Sequence, residues 1–210
     1  MIRFTLRKIR TLITGHIPAM YNDEYCDSVI SKYSYVKSYS DLINELSQIK
    51  FAIYSEINNT YQSSAQTIKN CLKINGDPAI YLDYNKLHKS EILCYHKIIG
   101  GYKARVELHF HKNNLFFYKY TFPYLTNTEK QKIISQLKEK YKIGKNIDLE
   151  STYVELNNKT RIVIFNDFEL QLNYVMYNSI FIKELLMLNT NNYLKGFPTI
   201  TDGDEMFACI

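Results

Sequence analysis

Residue types that bind metal ions cluster in the stretch from Ser90 to Thr121. They are Cys94, His96, Glu107, His109 and His111. Thiolate, imidazole and carboxylate groups are the ligands that zinc and similar transition ions prefer. His109 and His111 form a His-x-His pair, which projects both rings to one side of a strand, about 7 Å apart. The stretch therefore offers a zinc site on one face of a sheet.

The same five residues also fit a solvated outer face, together with Arg105 on the same side of the strand. Polar residues commonly line the open face of an antiparallel sheet. We take the solvated face as the simpler interpretation and the metal site as the alternative. Contact between this face and a protein partner is a third use of the same side chains.

A hairpin positions these residues, because Gly100-Gly101 lies between two alternating apolar and polar segments. Both central residues of a two-residue hairpin loop adopt positive φ, which glycine tolerates. The predicted pairs are Ile99 with Tyr102, Tyr95 with Val106, Cys94 with Glu107 and Leu93 with Leu108. Counting outward from the turn therefore puts Leu93 and Leu108 on the core and the imidazoles outside.

A third strand, Leu115 to Thr121, follows the turn at Lys112-Asn113-Asn114. A three-residue loop pairs Phe110 with Phe116 and Leu108 with Tyr118. A two-residue loop swaps the faces and puts Lys119 opposite Leu108, so we prefer the longer loop. The aromatic run from Phe116 to Tyr120 could stack single-stranded nucleic acid, although core packing is its commoner use.

Apolar residues recur at helical spacing between Leu42 and Leu72. The steps of three or four residues continue for about eight turns and predict one long helix, or two joined near Asn58-Asn59. Gly76 and Pro78 end the pattern. With a basic amphipathic segment from Met1 to Ile13, this predicts a helical N-terminal third packed on the sheet, residues 1–78.

The remainder, residues 79–210, is predicted to be an antiparallel α+β domain, unless the whole chain forms a single domain. Thr126 and Glu129 form a capping box for a helix that ends at Gly144. Three more strands (residues 151–156, 160–165 and 168–174) and a helix through Leu188 follow. The pattern of residues 90–188 therefore predicts two β-β-β-α units, and we expect the helices to pack on one face of the sheet.

Charge is concentrated at the start of the chain. The 210 residues carry a net charge of +5, of which +4 comes from Arg3, Arg7, Lys8 and Arg10. Because the rest is nearly neutral, a large nucleic-acid surface is disfavoured. We interpret these four residues, with Arg105, as candidate partner-binding residues, and the basic segment could also lie on a membrane surface. Four scattered cysteines predict a reduced, cytoplasmic protein.

Recognisable catalytic motifs are missing from the sequence. There is no GxSxG, HExxH or P-loop pattern. No cysteine has a neighbouring residue in the sequence that is recognisable as a general base for nucleophilic catalysis. We therefore expect a non-enzymatic interaction module, such as a subunit, adaptor or inhibitor, with no cofactor. A metal-binding protein or metal-dependent enzyme is the second hypothesis, and single-stranded nucleic-acid binding is the third.

Overall fold

The computed structural model describes residues 23–33, 35–49, 51–84 and 89–190. The chain divides into two compact units, residues 1–34 and 35–210. Helix α1, Asp23–Tyr33, belongs to the first unit. The predicted basic segment at Met1 to Ile13 lies outside the described residues.

The second unit combines helices with one large sheet. Its helices are α2 (Val36–Ser47), α3 (Thr60–Ser64), α4 (Ile68–Asn75), α5 (Asn127–Lys140) and α6 (Ile180–Thr190). Its strands are β1 (Phe51–Ser55), β2 (Ile80–Tyr84), β3 (Ser90–Ile99), β4 (Tyr102–His111), β5 (Asn114–Phe122), β6 (Thr152–Leu156), β7 (Thr160–Asn166) and β8 (Leu170–Met176). The fold class is therefore α+β, as predicted. None of the helices described is long and apolar enough to cross a bilayer.

The eight strands form a single sheet in the order β1-β6-β7-β8-β5-β4-β3-β2. Strand β1 pairs in parallel with β6, whereas the other neighbours are antiparallel. The sheet is therefore mixed, and the prediction of a wholly antiparallel sheet is wrong at this edge. Two three-stranded meanders, β3-β4-β5 and β6-β7-β8, meet at the β5–β8 pair.

The β3–β4 hairpin has the predicted register along its whole length. Ile99 pairs with Tyr102, Tyr95 with Val106, Cys94 with Glu107 and Leu93 with Leu108. Gly100 and Gly101 form the turn with φ of 59° and 88°. These are left-handed conformations that glycine adopts without a Cβ clash, so the glycine pair sets the register.

The β4–β5 turn is shorter than predicted. Lys112 and Asn113, with φ of 48° and 65°, form a two-residue turn, and His111 pairs with Asn114. A β-bulge then shifts the register, so that Phe110 pairs with Leu115 but His109 pairs with Phe117. The predicted Phe110–Phe116 pair is therefore wrong. The Leu108–Tyr118 pair is confirmed, because the extra residue of the bulge restores the register.

The segment from Leu42 to Leu72, whose apolar spacing predicts one long helix or two, contains a strand and parts of three helices. Helix α2 ends at Ser47, and Phe51–Ser55 is a strand paired with β6. Two short helices, α3 and α4, follow. Phe, Ile and Tyr favour strands when an adjacent strand offers pairing, so tertiary context overrides the helical spacing here.

One face of the sheet carries the main core. Side chains of the strands pack there against α3, α4, α5 and the segment after α5. The buried members include Leu93, Val106, Leu108, Phe110, Tyr118, Leu172 and Tyr174 from the strands, Cys71, Ile133, Ile134 and Leu137 from the helices, and Ala65 from the bend between α3 and α4. The capping box at Thr126 and Glu129 is present at the start of α5. Phe168, at the start of the strand predicted for residues 168–174, lies instead in the turn before β8 and is 95% exposed.

The opposite face is covered as well, by α2 and α6. Tyr39 of α2 and Phe181 of α6 contact each other and Phe116. His109 also contacts Tyr39, and His111 contacts Phe181. The prediction that helices pack on one face only is therefore wrong: the sheet is the middle of three layers.

Candidate functional site

The five predicted metal-ligand residues do not lie on an open surface. Cys94, Glu107, His109 and His111 are buried, and His109 is 0% exposed. His96, nearer the β3–β4 turn, is exposed. The interpretation of this face as solvated is therefore wrong for four of the five residues, because α2 and α6 exclude water from it.

A buried ion pair occupies this face. Glu107 on β4 lies directly opposite Lys119 on β5, and the Lys119 Nζ is 2.8 Å from Glu107 Oε1. Two charged groups can be removed from water when each neutralises the other at hydrogen-bond distance. The pairing explains how a face that carries a carboxylate can lie beneath a helical layer.

His109 extends this ion pair into a chain of polar contacts. Its Nε2 lies 3.5 Å from Glu107 Oε2, and its Nδ1 lies 2.9 Å from the Tyr39 hydroxyl. Lys119, Glu107, His109 and Tyr39 therefore form a polar chain that runs from the sheet to α2. We refer to these four residues as the interlayer network.

The interlayer network holds Glu107 ionised. Burial opposes its negative charge, but the positive charge of Lys119 and the nearby His109 ring outweigh burial, so the pKa of Glu107 lies well below its usual range. Burial raises the pKa of Tyr39 far above that of an exposed tyrosine. Neither group changes its protonation near neutral pH, which makes acid-base catalysis by this pair unfavourable.

His111 has a packing role in this layer. Its ring stacks on Phe181 of α6, with centroids 4.4 Å apart and planes inclined by 18°. Tyr39 meets Phe181 edge to face at 5.6 Å. Such ring pairs add to the stability that burial alone gives. The two imidazoles of the His-x-His pair therefore contact different helices.

In the described part of the chain, no group of three or more His, Cys, Asp or Glu side chains is arranged to hold a metal ion. His96 lies next to Arg105 in the register. Partial loss of hydration beside its strand neighbours, and then the charge of Arg105, lower the pKa of His96. The zinc site therefore stays a prediction that rests on residue types.

Among the predicted partner-binding residues, Arg105 pairs with Glu169, whose two carboxylate oxygens lie 2.5 and 2.6 Å from its Nη2. This ion pair joins β4 to the turn before β8. The other four, Arg3, Arg7, Lys8 and Arg10, lie outside the described residues. Their role in partner binding stays a prediction.

The aromatic strand β5 is buried. Phe116, Phe117 and Tyr118 are each at most 1% exposed, and Tyr118 stacks on Tyr174 with centroids 4.4 Å apart. Nucleic-acid binding on this strand requires open ring faces. These rings instead pack against other protein side chains.

Two surface features were not predicted from the sequence. The first is strand β1 at one edge of the sheet, where Phe51 and Tyr54 are 71% and 74% exposed. The sequence signal was the uncharged run Phe51-Ala52-Ile53-Tyr54-Ser55, which the helical spacing concealed. The second is a group of basic residues around Arg161, and no motif marks it in the sequence.

These features describe a layered α+β unit with a buried polar network, an apolar sheet edge and a group of basic residues around Arg161. The network can stabilise the packing of α2 on the sheet, and the edge exposes Phe51 and Tyr54. Comparison with known proteins found no family model, no curated protein and no solved structure that matches this chain.

Proposed function

We propose that the protein is a non-enzymatic interaction module that binds an extended segment of a protein partner at the edge strand β1. The observation that carries the proposal is the exposure of Phe51 and Tyr54, at 71% and 74%, on that strand. An edge strand presents a row of main-chain donors and acceptors, to which another strand can be added. The two aromatic side chains, one on each face, would contact the added strand.

The composition of β1 supports this proposal. Natural proteins protect edge strands with charged residues, proline or bulges. Strand β1 contains none of these over Phe51–Ser55, and its pairing with β6 is regular. Strand β2, at the opposite edge, contains the exposed Asp83. The missing protection at β1 is expected where an edge normally receives a partner.

The interlayer network supports a structural role for the residues that first suggested chemistry. Its charges are compensated within the protein, since Glu107 contacts both Lys119 and His109. A general acid or base near neutral pH needs a pKa close to that pH. The lowered pKa of Glu107 instead favours a fixed charge that holds two layers together.

We also propose that residues 90–188 consist of two β-β-β-α units, as the sequence pattern predicts. The strand order supports this, because the two meanders abut through their third strands, β5 and β8. The helices that follow lie on opposite faces: α5 packs in the main core, whereas Phe181 of α6 stacks on His111. If a two-fold axis related the two units, α5 and α6 would lie on the same face of the sheet. The connection from β8 to α6 therefore crosses to the face opposite the one that α5 covers.

The cellular location proposed for the module is the cytoplasm. Cys71 and Cys94 carry thiols and are buried, and proteins of reducing compartments keep their cysteines in this form.

A binding experiment tests the edge directly. The protein partner is isolated from the cells that produce this chain, purified, and recombined with it, and the stoichiometry is measured by light scattering. We expect a 1:1 complex that is lost in Phe51→Lys/Tyr54→Lys, because charges at the edge oppose strand addition. The matched control is Ile98→Lys/Phe168→Lys, two similarly exposed apolar residues in or beside turns.

The control complex should keep the affinity of the unaltered protein. Binding that survives Phe51→Lys/Tyr54→Lys, or that the control abolishes, places the contact elsewhere and overturns the proposal. Self-association of the purified chain that disappears in the same edge variant would make a second copy, not another protein, the occupant of β1.

A further inference from the structure

A small hollow opens where the turn between β6 and β7 meets the start of α6. Its volume is about 250 Å³. The lining residues are Glu155, Lys159, Arg161, Tyr177, Asn178 and Lys183. Ligand pockets for whole organic molecules begin at about 300 Å³, so this hollow suits a compact polar group.

Arg161 is held rigidly at this hollow. The central carbon of its guanidinium lies 4.0 Å from the ring centroid of Tyr177 and 4.6 Å from that of Tyr153. Its Nε donates to Glu155 Oε2 at 3.0 Å. Its two terminal nitrogens make no hydrogen bond to any residue that the structure describes. A guanidinium fixed in this way presents an ordered pair of donors with little entropy left to lose on binding.

Positive charge exceeds negative charge around the hollow. Lys159 contacts the same Glu155 carboxylate at 3.3 Å, and Lys183 adds a third cation. Three cations against one carboxylate leave a local charge of +2. The carboxylate is already shared by two of the cations, so the excess is available to an incoming anion.

The position of Lys183 adds to this imbalance. It lies in the first turn of α6, which contains no acidic residue. The N-terminus of a helix carries partial positive charge, so acids are favoured and cations disfavoured there. A lysine at this end is less favourable than an acidic residue, and an anion bound nearby would offset its charge.

We propose that this hollow binds a phosphate monoester. A phosphate monoester carries a charge of about −1.5 to −2 at pH 7 and three acceptor oxygens. That charge matches the excess of +2, and the fixed pair of Arg161 donors matches the geometry of two phosphate oxygens. A carboxylate supplies half the charge. The hollow is too small for the rest of a large ligand, so recognition is of the phosphate group itself.

Calorimetric titration with phenyl phosphate tests the site. Phenyl sulfate is the matched probe, because it has the same shape and only one negative charge. At pH 7.5 and constant ionic strength we expect phenyl phosphate to bind about tenfold more tightly than phenyl sulfate, since the second charge meets the second excess cation. Lowering the pH to 5 protonates the phosphate, whose second pKa is about 6, and should remove most of this preference.

Variants assign the binding to the hollow. Arg161→Gln should weaken phenyl phosphate binding about tenfold or more, because two charge-assisted hydrogen bonds are lost. Lys183→Gln, an exposed change that leaves the tyrosine stack intact, should weaken it several-fold. Lys103→Gln, an exposed lysine on β4, is the control and should leave the affinity unchanged.

Circular dichroism establishes that each variant is folded, and Lys183→Gln still tests the site if Arg161→Gln does not fold. Equal affinities for phenyl phosphate and phenyl sulfate would overturn the proposal. So would an equal loss in Lys103→Gln and Lys183→Gln, because binding would then follow total charge and not this hollow. These outcomes are independent of whether a protein binds at β1.

Discussion

Glu107 and Lys119 face each other across β4 and β5, with 2.8 Å between Oε1 and Nζ, in a layer from which helices exclude water. The pair explains why the polar face of the hairpin is interior. A buried pair contributes less than its geometry suggests, because both ions lose hydration. Breaking it is nonetheless costly, and this asymmetry can be measured.

Removal of one partner should destabilise the protein strongly. Lys119→Met leaves the Glu107 carboxylate buried without its cation, and we expect the free energy of unfolding to fall by about 3–5 kcal/mol. The double variant Glu107→Leu/Lys119→Met removes both charges and should be about as stable as the natural protein, so we expect it to exceed the single variant by about 3–5 kcal/mol. Urea denaturation measures both. A double variant less stable than Lys119→Met would contradict the buried pair.

Stability should fall in acid because of the same carboxylate. The pKa of Glu107 is lower in the folded protein than in the unfolded chain, where a glutamate titrates at about 4.3. Its contribution is therefore complete above about pH 4.3 and is lost as the pH falls toward the folded-state pKa. Unfolding free energies measured from pH 7 to pH 2.5 should decline more steeply for the natural protein than for Glu107→Leu/Lys119→Met. Parallel curves would contradict the lowered pKa.

Tyr39 should stabilise the α2 layer mainly through its ring. Tyr39→Phe removes the hydroxyl that bonds His109 Nδ1 and should lower the unfolding free energy by about 1 kcal/mol. Tyr39→Ala also removes the ring contacts with Phe116 and Phe181, and the expected loss is about 3–5 kcal/mol. Thermal and urea unfolding distinguish the two. Equal losses would show that the ring contributes nothing beyond its hydroxyl.

The two hairpin turns should respond oppositely to glycine exchange. Gly101→Ala puts a Cβ at a φ of 88° and should cost about 1–2 kcal/mol. Lys112 already adopts a φ of 48°, so Lys112→Gly relieves strain and should change stability by less than about 1 kcal/mol, in the stabilising direction. Chemical denaturation of the two variants provides the comparison. A stabilised Gly101→Ala would contradict the turn geometry.

The β3–β4 hairpin was predictable because its determinants are local. The glycine pair fixes the turn, and strict alternation then fixes every pair from Ile99–Tyr102 to Leu93–Leu108. The β4–β5 register was only partly predictable. The preferred register applies from His109 onward, where Leu108 pairs with Tyr118, but beside the turn His111 pairs with Asn114, a register that neither candidate loop gives, and the bulge absorbs the one-residue difference. A bulge of this kind leaves no mark in a hydrophobic pattern.

The second helical layer was missed because polarity was taken as a sign of exposure. The preferred register already puts Lys119 opposite Glu107, but opposite charges across two strands are equally compatible with a solvated face, so the pair did not by itself indicate burial. Strand β1 was missed for a different reason. Its spacing fits a helix, and its partner β6 lies far away in the sequence. Arg161 and Lys183 are brought together only by the fold, so no local pattern could have indicated the basic hollow.

The parallel pairing of β1 with β6 also has a consequence for how the chain assembles. Phe51 aligns with Thr152, so about 100 residues must be synthesised before β1 can meet β6, which takes about 5–20 s at the usual ribosomal rates. During that interval the uncharged segment Phe51–Ser55 has no strand to pair with. Loop closure over such a distance is slow and late, so β1 is expected to be among the last of the described strands to join the sheet.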